Sequence, residues 1–212
     1  MSLDQFVILG VLVAASIIGL TFIIERGLAL RTAKVMPPEV KSAVQSWRTM
    51  DDLAMLRRIC QEHPSPLSRL ILFAEQHRHF TRAENASGLE TAARREVSHL
   101  ERGLVILEIL VGVAPLLGLV GTVYGLIALF QVLGASGLAD NSGMASGIAL
   151  ALRSTFLGLV CAIPSLVAWS YYSKRVENMA VEMASLCDVF LRQLYHQDDA
   201  SEFAATSAGG QS

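Results

Sequence analysis

Three stretches of this chain are apolar over about the length of a membrane crossing, and that constrains its folding more than any other feature. They are Phe6 to Ile24, "FVILGVLVAASIIGLTFII"; a run within Leu104 to Leu133, "LVILEILVGVAPLLGLVGTVYGLIALFQVL"; and Gly147 to Tyr172, "GIALALRSTFLGLVCAIPSLVAWSYY". A helix needs ~20 such residues to span the hydrocarbon core. With 52% hydrophobic and 17% charged residues, the composition is too apolar for an ordinary soluble domain. Residues Met1 to Gln5 hold no Lys or Arg, and the first apolar run exceeds a signal-peptide core, so it reads as a retained span.

Charge sets the expected orientation. The segment between the first two spans carries thirteen Lys and Arg residues, from Arg26 to Arg102, whereas Gly134 to Ser146 carries none. Lys174 and Arg175 follow the third span at once. Basic loops stay on the cytoplasmic side. The expected layout is a periplasmic N-terminus with a first span in 1–25 and a cytoplasmic helical region in 26–103. A second span in 104–133, a periplasmic loop in 134–146 and a third span in 147–172 follow. A cytoplasmic helix in 173–197 and a disordered tail in 198–212 complete it. The fold class is an all-α membrane protein, with long helices reaching into the cytoplasm.

A net charge of −2 gives no support to nucleic-acid binding. Cys60, Cys161 and Cys187 are scattered, without metal or disulfide spacing, and read as free thiols. His77 and His79 are two residues apart and face different sides of a helix, so no metal site is expected. The spans contain no histidine to act as base for Ser154 or Ser165, and no HExxH occurs, which argues against an enzyme and leaves no catalytic residue or cofactor to assign.

The second and third spans carry small residues at helical spacing. Pro115, Gly118, Thr122 and Gly125 make one stripe, and Ala151, Thr155, Gly158, Ala162 and Ser165 another. Small stripes let helix backbones approach closely in lipid. A threonine in a membrane helix ordinarily bonds its own backbone, so each stripe reads either as plain packing or as a polar spot on an inner helix. The first span has no comparable polar stripe and reads as more lipid-facing.

"APLLGLVGTVYGLIALF" (Ala114 to Phe130) and "GIALALRSTFLGLVCAIPSLVAW" (Gly147 to Trp169) closely resemble the pore-lining helices of the ExbB/TolQ/MotA proton-channel family, most of all its three-span ExbB and TolQ branch. The resemblance implies a ring, a pentamer, around the single spans of an ExbD- or TolR-like partner dimer whose membrane aspartate carries the proton. It further implies that the proton-motive force is passed to a TonB- or TolA-like envelope-spanning protein, serving transport or envelope integrity from a bacterial inner membrane. Thr122 and Thr155 match the family's pore threonines, with Gly121 and Pro164 completing the matched motifs. Where relatives often have a glutamate in "GIAEAL", this chain has Leu150.

Glu101 and Arg102, before the second span, read as interfacial anchors or subunit contacts. Arg153 lies near the start of the third span, about 200° around the helix from Thr155. It is expected at the membrane edge, pointing away from the small stripe, bonded to a lipid headgroup or a neighbouring subunit. The rival to a channel subunit is a passive membrane scaffold without ion conduction.

Overall fold

The computed structural model describes residues 3–136 and 141–209. Part of the expected loop 134–146 (residues 137–140) and the last three residues of the expected tail lie outside the described residues. Among the described residues the regular structure is entirely helical, and the chain divides into two compact units. Three helices are long and apolar enough to cross a membrane.

The first unit comprises residues 1–28 and 102–173. It contains α1 (Leu3–Ala29), α7 (Leu104–Ser136) and the first part of α8 (Asn141–Gly209). Pro115 and Pro164 sit inside α7 and α8 without ending them. Each removes one backbone N–H from its helix, a loss tolerated in membrane helices where neighbours re-satisfy the freed carbonyl. The large apolar side chains of α1 are mostly exposed, including Val7, Val11, Ile17, Leu20 and Ile24, as a lipid-facing helix requires.

Where α1 packs, it buries Leu12 and brings two small residues, Ala15 and Gly19, close to its neighbours. Ala15 lies against the buried trio Ala114, Cys161 and Ala162. A Cβ on Gly19 would stand 3.1 Å from Leu110 Cδ1 and 3.2 Å from Ser165 Oγ. Ala15 and Gly19 are four apart, one helical turn, so they form a short small face of their own.

The second unit comprises residues 29–101 and 174–212. Its short helices are α2 (Thr32–Val35), α3 (Pro38–Ser46), α4 (Met50–Glu62), α5 (Pro66–Gln76) and α6 (Arg82–Glu101). Prolines punctuate this region at helix starts: Pro38 and Pro66 both occupy first helical positions, where a missing N–H costs nothing. Thr49 and Asp52 form a reciprocal capping box on α4, and Thr81 and Glu84 exchange the equivalent bonds on α6.

The distal part of α8 supplies the centre of this unit. Val176, Met179, Met183, Leu186, Phe190 and Leu194 recur every three or four residues and are buried. Phe190 packs on the ring of Trp47, centroids 5.4 Å apart. Asn85, also buried, donates to the Ala74 carbonyl at 2.9 Å and to the Tyr195 hydroxyl at 3.0 Å. Helix α8 runs on to Gly209, past residue 198 where the sequence reading begins its disordered tail.

Candidate functional site: the threonine contact of the second and third spans

The two small stripes face each other within one chain. A Cβ on Gly118 would lie 2.8 Å from the Ser154 carbonyl oxygen and 3.0 Å from Thr155 Cα. One on Gly158 would lie 2.6 Å from the Ala114 carbonyl oxygen and 3.1 Å from Gly118 Cα. These are backbone obstacles, which cannot swing aside as a side chain can. The contact therefore requires glycine on both helices, through close approach rather than through any unusual φ.

Around it, Gly121, Gly125, Ala151 and Ala162 are buried, and Pro115 is half-buried. Pro164, in contrast, is exposed in the single chain.

This approach brings Thr122 and Thr155 together. Their hydroxyls are hydrogen-bonded to each other. Thr122 Oγ1 also lies 3.2 Å from the Gly118 carbonyl of its own helix and 3.3 Å from the Ala151 carbonyl of α8. Thr155 Oγ1 reaches across to the Gly118 carbonyl at 3.2 Å. Thr155 thus does not follow the ordinary pattern of bonding its own helix four residues back. It bonds across the contact instead.

Two hydroxyls carry two protons. One proton is used between the threonines, and the other goes to the carbonyl of Gly118 or Ala151. No donor is left over, while lone pairs remain on both oxygens. The closed pair can therefore accept a hydrogen bond from an incoming acid. To donate to a carboxylate, one hydroxyl must first rotate away from its present acceptor.

The remaining candidates fall elsewhere. Arg153 is exposed, as are Glu101 and Arg102. The side chain of Leu150 lies outside what is described. At the other end of the unit are two contacts that the sequence reading did not anticipate. The Tyr172 hydroxyl donates to the Ile23 carbonyl of α1 at 3.0 Å. A Cβ on Gly27 would meet that hydroxyl at 2.8 Å. Arg26 pairs with Glu25, and its guanidinium lies over the backbone of Gly103, where a Cβ would overlap it. The two "ERGL" repeats, Glu25–Leu28 and Glu101–Leu104, were the available signal. In each, the glycine is where a side chain from another helix crosses.

The three cysteines are free, as the sequence suggests, and all three are also buried. Burial pushes the Cys60 thiol up to about 11, so it is protonated at neutral pH.

A helical fold with three helices long and apolar enough to cross a membrane, joined at a small-residue seam, defines a multi-pass membrane protein. The sequence profile of the MotA/TolQ/ExbB proton channel family matches residues 61–185, and this chain belongs to that family. It is 30% identical over 205 residues to the Tol-Pal system protein TolQ of Pseudomonas aeruginosa, covering 90% of this chain and 87% of that protein. It is 36% identical over 149 residues to a putative biopolymer transport protein ExbB homolog of Methanothermobacter thermautotrophicus, covering 70% of this chain and 52% of that one. The biopolymer transport protein ExbB of Xanthomonas campestris is 33% identical over 135 residues, or 55% of this chain. The chain spans about half the length of the latter two relatives.

Proposed function

We propose that this chain is the proton-channel subunit of an energy-transducing motor in an inner membrane. Its N-terminus is periplasmic and its C-terminus cytoplasmic, on the strength of the basic loop distribution. Five copies ring the single spans of a partner dimer of the ExbD or TolR kind, and an aspartate in that span carries the proton. The motion is handed to a TonB- or TolA-like envelope-spanning protein, for transport or for envelope integrity.

The observation that carries this reading is the Thr122–Thr155 pair, two hydroxyls held in the seam between two apolar spans with free lone pairs. A protonated carboxylic acid is what those lone pairs accept from, and a carboxylate is what a rotated hydroxyl donates to. This chain supplies no carboxylate there, since Glu108 lies four residues into α7, well before Thr122. That distribution suits a proton carrier on another polypeptide.

A second reading is a passive scaffold, favoured by the fact that the two hydroxyls already satisfy each other. Affinity purification of the full chain from its native membrane tests between them. The channel reading expects a co-purifying one-span protein with an acidic residue in its span. Recovery of homo-oligomer alone, with no such protein, supports the scaffold.

A further inference from the structure

The other polar feature in the third span is Arg153, and the threonine seam does not account for it. Arg153 is exposed on the outer surface of the first unit. Among the described residues no hydrogen bond or ion pair reaches it. Its exposed neighbours are apolar: Leu152 at 57%, Phe156 at 65% and Val160 at 49%. A charged group on such an apolar face is costly in hydrocarbon, so it needs either an anion or an exit to the interface.

Helix geometry supplies the exit. Tyr171 and Tyr172 mark the opposite interface, as aromatic belts do. From Arg153 to Tyr172 is 19 residues along α8, or about 28 Å at 1.5 Å per residue, close to the ~30 Å hydrocarbon thickness. The Cα–Cβ bond of a helical residue tilts toward the helix N-terminus. The Arg153 side chain therefore leans away from the tyrosines, and its length lets the guanidinium emerge among headgroups. The unit's two other cations, Arg26 and Arg102, lie at the tyrosine end, which the Tyr172–Ile23 bond joins to the end of α1. Arg153 is thus the sole Lys or Arg of this unit at its own end.

We propose that Arg153 binds the phosphate of a phospholipid in the leaflet opposite the Tyr171–Tyr172 belt, its planar guanidinium bonding two phosphate oxygens at once. The full chain, reconstituted in nanodiscs of phosphatidylethanolamine and phosphatidylglycerol and released for native mass spectrometry, tests this. Wild type is expected to retain phospholipid. Arg153→Gln should lower retention about fivefold, the ratio that roughly 1 kcal/mol per basic residue near an anionic surface supplies. Arg153→Lys should keep most of it, because the cation is preserved. Inorganic phosphate in excess should not displace the lipid; displacement would mean that a free anion suffices and would overturn the lipid assignment. Equal retention by wild type and Arg153→Gln also overturns it. So does unchanged retention combined with a smaller oligomer, since that outcome assigns Arg153 to a carboxylate of a second copy.

Discussion

The hydroxyls of Thr122 and Thr155, thirty-three residues apart, are hydrogen-bonded to each other across the seam where α7 and α8 touch backbone to backbone. One bond couples the two residues, so their substitutions should not act independently. Thr122→Val, Thr155→Val and the double variant, compared by detergent denaturation, should give a coupling energy of about 0.6 kcal/mol, the typical value for interhelical hydrogen bonds in membranes. Strict additivity would mean that the bond contributes nothing to holding the seam.

Gly118 and Gly158 set how close the seam can be. Replacing either with valine inserts carbon atoms against backbone rather than against a movable side chain. Overpacking of this kind costs ~1–3 kcal/mol. The expected result is a lower Tm for each variant, and loss of the threonine bond. A control at Gly112, where an added Cβ meets nothing within 4 Å, should leave the Tm unchanged.

At the other end, Tyr172→Phe removes only the hydroxyl that reaches the Ile23 carbonyl. That carbonyl keeps its own helical partner, so the loss should be near ~1 kcal/mol. Gly27→Ala should cost a similar amount by pushing the hydroxyl away, and should cost nothing further when added to Tyr172→Phe. Thermal denaturation of the three variants checks this.

How much of this was legible beforehand follows from the kind of signal each element leaves. The spans and the seam were readable because apolar length and helical spacing are local properties of a sequence. The seam threonines stood out because they interrupt small stripes at a fixed register. Helix α8 runs from Asn141 to Gly209 across the polarity change after Ser173, which is also where the two compact units divide, because polarity changes there while helix-forming character does not. The Arg26–Gly103 and Tyr172–Gly27 crossings depend on which helices become neighbours, and no spacing within one helix encodes that. Ala15 and Gly19 went unremarked because alanine and glycine are too common in apolar runs to signal a face alone.

The short helices of the second unit carry a pH signature. Backbone N–H donation from Arg48, with bonds from Thr49, holds the Asp52 carboxyl below its ordinary value. The Thr81 hydroxyl and backbone N–H do the same for Glu84. A carboxyl lowered in the folded state stabilises that state at every pH above its unfolded value, and the benefit is lost as pH falls through the lowered value. The helical signal of the second unit should therefore be flat from neutral pH down to about 5 and decline below about 4. Asp52→Asn and Glu84→Gln should each flatten that acid limb in circular dichroism, while a limb of wild-type steepness in both would assign the acid sensitivity elsewhere.

A channel subunit requires that the threonine pair serve ion movement. The direct measurement is proton flux into vesicles holding the full chain together with its co-purified one-span partner, under an imposed proton gradient, for wild type and for Thr122→Val with Thr155→Val. Partner-dependent flux in wild type that is abolished in an assembled double variant is the predicted result. Equal flux in the two, or none that depends on the partner, would contradict it.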